Sequence, residues 1–483
     1  MNPSRFNRCA RAAVALAGVL TSLGGFSTQA HAQAWLPDRA YTEGPGVRVG
    51  DLELHPGIAV RGGYDNNVFK ADGDAKQTTV GDRQLNYTQS RRGAGILAVT
   101  PHLYLSTLST QRMKQGEDRD AGARPMPIIA FRGGMSATYF HYFIDNAPKN
   151  LEVDTDLWMG ILPNRPFNID LTMSYVRSVR PFTQYAGDKN AYNYDTLAPR
   201  ARFNFGSRSQ VLTAYVGYVP RVTLYESSIF NYLNSVTQGI EAGSQWKFLP
   251  STALVYDANL DYQNYRRDDS GTTRSPVVFT DNLRFRTRLG LSGAITRTVS
   301  LRALAGYAAI KFGNKGDGGA LDDHEDVIGE AILAWRFGPG QSSQLEAGYN
   351  RDVQSSPLGG WVQLDRGSAS LRSLIGGVFM LSLEAGAAHV NYGKLLGYNR
   401  SPGATDAVVP LGTDSRTDRK DVRLDGAIRG EYRLTNWLSL LADVSAQAVI
   451  TKFDYAIYFA NLPVPDPARY WTVMAFGGVR AHY

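Results

Sequence analysis

The 483-residue sequence holds a single cysteine, Cys9, so no disulfide framework is available and folded stability must come from backbone pairing and packing. It also lacks long apolar runs. The one candidate, residues 12–23, is shorter than the ~20 residues that a helix needs to cross a bilayer, which excludes a helical membrane bundle. Basic residues are scattered singly, so the formal net charge of +7 is not gathered into a nucleic-acid-binding block, and nucleic acid is not an expected partner. No Gly-Lys-Ser/Thr phosphate loop, dinucleotide glycine fingerprint or serine elbow is present. His55, His102, His141, His324, His389 and His482 lie far apart, with no pair at metal-ligand helical spacing. The expectation is a protein without cofactor, metal centre or catalytic site, and not an enzyme.

What is present begins with an export signature. Arg5, Arg8 and Arg11 precede the short apolar stretch, and Ala30-His31-Ala32 supplies a small-x-small cleavage site, so residues 1–32 read as a cleaved signal peptide. The removed piece takes three arginines and no acid with it, which lowers the net charge to +4 and removes Cys9. Residues 33–50 are a short periplasmic segment, too short for a plug, and residues 51–483 form one domain.

That domain is written in period 2. Leu283, Phe285, Leu289, Leu291 and Ile295 alternate with Asn282, Arg284, Arg286, Arg288 and Ser292. Val422, Leu424, Ile428, Tyr432 and Leu434 alternate with Asp421, Arg423, Asp425, Arg429, Glu431 and Arg433. Such segments run about twice the ~5–6 residues of an ordinary strand. Short Gly, Pro, Ser, Asn and Thr turns at 163–166, 206–209, 249–251, 296–298, 338–341, 375–377 and 435–436 alternate with longer polar connections at 181–191, 267–276, 313–323, 395–417 and 455–468. This is the layout of an all-β transmembrane antiparallel barrel, with short turns on the periplasmic side and long loops outside. A two-faced sheet in lipid must close on itself so that every N–H and C=O is paired. Counting segments gives about 18 strands; the polar insertion 111–124 falls on the short-turn side and fits no part of the pattern.

The end of the chain agrees. Trp471, Val473, Ala475, Val479, Ala481 and Tyr483 share one face and finish in an aromatic, which resembles the assembly signal of outer-membrane barrels, with Tyr in place of the usual Phe. Tyr139, Phe205, Trp246, Trp335, Phe337 and Trp437 are placed for interfacial girdles. Outer-membrane lipid and the barrel assembly machinery are the partners this implies.

Barrels of this size hold water, so the polar phase points into a lumen. It carries Glu152, Asp154, Asp156 and Asp170, then Asp257 and Asp261 beside Arg284, Arg286 and Arg288, then the charges of residues 421–433. Opposed charges on neighbouring strands either orient a polar solute or only neutralise the wall. The inward aromatics Tyr104, Phe140, Trp158 and Tyr215 are too few for a continuous sugar-sliding track and are read as space-fillers or braces for a loop folded into the lumen.

Near the first strand stand Pro56-Gly57-Ile58-Ala59-Val60 and Tyr64-Asp65-Asn66-Asn67-Val68-Phe69, with Thr100-Pro101-His102-Leu103 and residues 139–143 further on. These resemble the beta-barrel porin type 2 family. The resemblance implies a barrel that exports a secreted polysaccharide together with a periplasmic polysaccharide export protein. On the residues alone, Asn66 and Asn67 read as a turn cap. A diffusion porin for small polar solutes and a surface-display or adhesion barrel remain open beside the export reading.

Overall fold

The computed structural model describes residues 46–73, 77–80, 83–86, 91–107, 128–145, 151–163, 165–178, 193–207, 211–226, 234–265, 281–313, 323–356, 360–393, 408–409, 419–459 and 462–483. Residues 1–32, expected to be a signal peptide, the insertion 111–124 and most of the connections at 181–191, 267–276, 313–323 and 395–417 lie outside them.

Eighteen long strands make one sheet: β1 (Leu52–Asp65), β2 (Ala94–Thr107), β3 (Ile129–Tyr142), β4 (Leu151–Ile161), β5 (Phe167–Ser178), β6 (Tyr194–Gly206), β7 (Leu212–Tyr225), β8 (Ser235–Leu249) and β9 (Thr252–Tyr265). The second half follows as β10 (Asn282–Ala294), β11 (Val299–Phe312), β12 (His324–Phe337), β13 (Ser343–Ser356), β14 (Gly360–Ile375), β15 (Phe379–Tyr392), β16 (Lys420–Arg433), β17 (Leu438–Thr451) and β18 (Tyr470–His482). Each pairs antiparallel with its sequence neighbours, and β1 pairs with β18 from Gly57↔His482 to Asp65↔Met474, which closes the barrel. No edge is left to satisfy in lipid.

Seven connections at one end, the end that holds Val47–Val49 and Tyr483, are tight turns of two to five residues. At 338–342 the chain reverses through left-handed Gly338 (φ 82°) and Gly340 (φ 62°), a conformation glycine adopts without steric cost. Connections at the opposite end are longer, except 357–359 between β13 and β14.

One expectation is corrected. The segment 455–468, read as a loop, contains the paired strands Asp454–Phe459 and Leu462–Pro467, and Val408–Val409 joins the first of them. Prolines at 463, 465 and 467 hid the second strand. Because they alternate, their missing N–H groups all fall on one edge, opposite the partner, so the ladder survives.

Apolar side chains of the outward phase are exposed, as in Leu283, Phe285, Leu289 and Leu291 on β10. On a soluble sheet this would be an error; on a barrel it is the lipid face. Its two rims differ. At the short-turn end stand phenyl and indole rings, with Phe167 on Phe205, Trp246 beside Phe248 and Trp335 on Phe337. At the other end stand tyrosines whose hydroxyls donate to carboxylates of the next strand or its lead-in residue: Tyr175 to Asp195 (2.9 Å), Tyr262 to Asp281 (3.2 Å), Tyr307 to Glu325 (2.5 Å) and Tyr349 to Asp365 (2.8 Å). Of the girdle candidates, Tyr139 lies toward this second rim and Phe205, Trp246, Trp335, Phe337 and Trp437 toward the first.

Candidate functional site

The inner wall carries the charges that the alternation places there. Between β9 and β10, Arg284 is paired with Asp261, and Arg288 with Asp257 at 2.9 Å. Arg286 skips its neighbours and reaches Asp352 on β13 at 3.0 Å. Arg288 also extends over Gly306 of β11 to Glu330 on β12 (3.2 Å), which Arg302 shares at 2.8 Å. A long guanidinium spans a strand only where the intervening residue is small, and Gly306 and Ala308 are the register partners of Arg288 and Arg286. The network continues on β6 and β8, where Glu241 takes Arg202 (3.0 Å) and Arg200 (3.4 Å). Arg200, Arg202, Glu241, Arg302, Glu330 and Asp352 were not singled out from sequence, although the same period-2 phase contains them.

Opposite in sign is β4. Its inward residues Glu152, Asp154 and Asp156 are all acidic, and Asp154 and Asp156 are open to the lumen, without a basic partner at ion-pairing distance among the described residues. Asp170 on β5 accepts from the Asn204 amide at 2.7 Å.

The wall at β16 is stitched mainly to other strands rather than to itself. Asp425 pairs with Arg366 of β14 at 2.8 Å across Gly386, where a Cβ would sit 2.6 Å from the guanidinium. Arg429 reaches Glu384 (2.7 Å), and Glu431 takes Arg480 of β18 (3.1 Å). Asp421 is fully buried between Arg419 (2.7 Å) and Arg423 (3.5 Å), and Arg423 also donates to the Tyr392 hydroxyl at 2.6 Å. Arg433 shares the same inward phase of β16, with Ser439 as its register partner.

At the long-connection end three segments cover this wall. Val68, from the connection after β1, packs on Ala94, Ile96 and Tyr142 with Phe69 and Phe140 alongside, so Phe140 braces an inward segment. Phe453 and Ala468 cover Val362, Leu364, Ala388, Val390 and Tyr392 on β14 and β15. The third is the end of the β13–β14 hairpin. The β12–β13 ladder stops at Gly329↔Arg351, and beyond it Val353 is buried on Ala308, Ile310, Phe312 and Ile328, the inner faces of β11 and β12. Trp361 stacks on the His324 imidazole with centroids 3.6 Å apart and planes 7° apart, and the Ser355 hydroxyl donates to Gln263 on β9 at 2.6 Å. This hairpin therefore lies across four strands of the inner wall.

The Tyr64 to Phe69 stretch occupies the closing seam. Asn67 N–H donates to Asp65 Oδ1 (2.8 Å), and the Asn67 amide donates to the carbonyls of Ala71 and Trp471 at 2.8 Å each. Its Oδ1 accepts from Ala71 N–H at 2.9 Å. Thr472 donates to Asp65 and Val473 N–H to the Asn66 side chain, both at 2.8 Å. The Asn side chains thus form the turn and tie β1 to β18, while Tyr64 faces outward and is exposed. Trp471, Val473 and Val479 of the terminal strand also face outward, and Tyr483 N–H donates to the Pro56 carbonyl at 2.9 Å.

Fold and inner wall define a closed, eighteen-stranded antiparallel barrel of the outer-membrane type. No protein-family model matches the chain, and no curated protein is detectably similar to it. Among solved structures the chain is similar to OpdQ of Pseudomonas aeruginosa, with 12% identity over 89% of this chain and 98% of that one and a TM-score of 0.38. OccK11 of the same organism gives 11% identity over 89% and 95%, with a TM-score of 0.37. The ferric enterobactin receptor PfeA, also of Pseudomonas aeruginosa, gives 12% identity over 89% and 80%, with a TM-score of 0.41. Likeness at this level assigns no cargo to the chain.

Proposed function

We propose that the chain is a passive channel of the bacterial outer membrane through which small polar solutes diffuse, inserted by the barrel assembly machinery after its signal peptide is removed. The observation that carries this reading is the β13–β14 hairpin, pinned across the inner wall by Ser355, Trp361 and Asp352 inside a barrel whose interior is lined with charge. A barrel of eighteen strands is wide enough for an aqueous interior. An inward segment then narrows it, and paired arginines and carboxylates beside it give a polar solute renewable contacts without binding it tightly.

Polysaccharide export with a periplasmic partner, which the family resemblance implies, uses the same lumen. The three covering segments rank small-solute diffusion ahead of it, since a polymer needs an open bore along its whole path. A display barrel is a third use of the fold and requires no conduction. Purified protein in planar bilayers separates these readings. Stable single-channel conductance, with size exclusion at the scale of a short oligosaccharide, supports the diffusion channel. Absence of conductance together with loss of surface polymer in a clean deletion would overturn it in favour of export, and absence of both effects would favour display.

A further inference from the structure

We infer that the lumen holds a binding subsite for neutral polyhydroxylated solutes, short oligosaccharides in particular, on the inner wall of β5–β9 at the short-turn end. The inference rests on the channel reading and names the class of solute its wall retains. A cleft of about 590 Å³ opens there, lined by Asn168, Asn204, Tyr215, Gln245, Asp257 and Arg302, within the size range of small-molecule sites. The strand register explains why these side chains meet. Asn168↔Asn204, Asn204↔Tyr215, Tyr215↔Gly243 and Gly243↔Asp257 are successive cross-strand partners, so they form one row running around the wall.

Gly243 is what shapes the row. A Cβ at that position would lie 2.5 Å from the Tyr215 ring, so the ring leans into the space that the glycine leaves. The Arg202 guanidinium packs 4.0 Å from the ring centroid and is itself held by Glu241 at 3.0 Å, which fixes the ring in place. Beside this flat apolar surface stand amides. Asn204 donates to both Asn168 and Asp170 at 2.7 Å, which holds its own Oδ1 in a fixed direction, and the Gln245 amide has no partner among the described residues.

Charge decides the class of solute. Within the row itself, Asp257 is already paired with Arg288 at 2.9 Å and Arg302 with Glu330 at 2.8 Å, and the remaining charged lining residue, Arg165, stands exposed in the 162–166 turn at the mouth of the cleft. Hydroxyl groups, which both donate and accept, match amides and paired charges without breaking the pairs. The C–H face of a sugar ring matches the pinned aromatic surface.

The test is calorimetric titration of maltotriose into the full-length detergent-solubilised protein, its Asn204→Ala and Tyr215→Ala variants, and Gln245→Ala, with folding verified by heat-modifiable gel mobility. Saturable binding to the parent, weakened at least tenfold in the folded variants, is the expected result. Gln245→Ala removes only a side chain without a protein partner and decides the matter if the other two do not fold. Undiminished binding in the folded variants, no binding to the parent, or tenfold tighter binding of trigalacturonate than of maltotriose would each overturn the subsite. Bilayer conductance on the same preparations keeps the two readings apart. Conductance without maltotriose binding removes the subsite alone, and binding without conductance removes the channel alone.

Discussion

Ser355 donates a hydrogen bond of 2.6 Å to Gln263, and these residues sit on β13 and β9, four strands apart around the barrel. Such a contact is possible only because the end of the β13–β14 hairpin leaves the wall. Replacing Trp361 with Ala removes the stack on His324 and the packing against the buried cluster that holds Val353, a loss of about 3 kcal/mol of local stability by the usual cost of aromatic truncation. The expected outcome is larger and noisier single-channel conductance, with the barrel's melting midpoint nearly unchanged. Conductance indistinguishable from the parent would show that the hairpin does not narrow the path.

Asp154 and Asp156 present carboxylates to the lumen without a basic partner among the described residues. Their double replacement by Asn removes two negative charges from one wall and nothing from the arginine network. Reversal potentials in a salt gradient should shift toward anion preference, and more strongly at low ionic strength, where screening is weak. The same pair of changes should leave the denaturation midpoint in place.

Asn67 makes three side-chain hydrogen bonds at the seam while almost fully buried. Asn67→Ala leaves the carbonyls of Ala71 and Trp471 and the Ala71 N–H without that partner, at a cost of about 1–3 kcal/mol for each group left unsatisfied. Urea titration followed by heat-modifiable mobility should show the barrel opening at lower denaturant. Asn67→Asp, which sets a buried carboxylate against the same two carbonyls beside Asp65, should open at lower denaturant still.

Tyr483 ends the chain on the outward face, tied by its backbone to Pro56. If the terminal aromatic serves as the assembly signal that its strand resembles, Tyr483→Phe should assemble as well as the parent, because the ring is kept and only the hydroxyl is lost. Deleting Tyr483 should lower the amount of folded barrel in membrane fractions without altering the stability of what does assemble. Equal amounts of folded protein from both would remove this residue from the assembly signal.

The inward and outward phases were readable because a strand's period is two: once Leu283 and Phe285 are set toward lipid, Arg284 and Arg286 have nowhere to point but inward. The strand count followed from turn chemistry at positions such as Gly338 and Gly340. What could not be read was the destination of each charge. Sequence places Arg286 beside Asp257 and Asp261, whereas its carboxylate is Asp352, brought within 3.0 Å by a hairpin that bends off the wall. Trp361 likewise sits in an ordinary outward phase of β14, and only the bend turns it onto His324. The second strand of the 454–467 hairpin was masked by prolines, whose usual meaning is interruption. The sugar row was invisible for a different reason, because Asn168, Asn204, Tyr215 and Asp257 become neighbours only through register.

The bond from Asn67 to the carbonyl of Trp471 joins residues separated by 404 positions. Its formation therefore waits until the whole chain has been made and exported. Until then β1 has a bare edge on the side that β18 will occupy. A ribosome that stops early, or a protease that clips the last strand, releases a sheet that cannot seal and whose first strand is free to pair with a stranger. With no cysteine beyond residue 9, no disulfide can hold such an intermediate together.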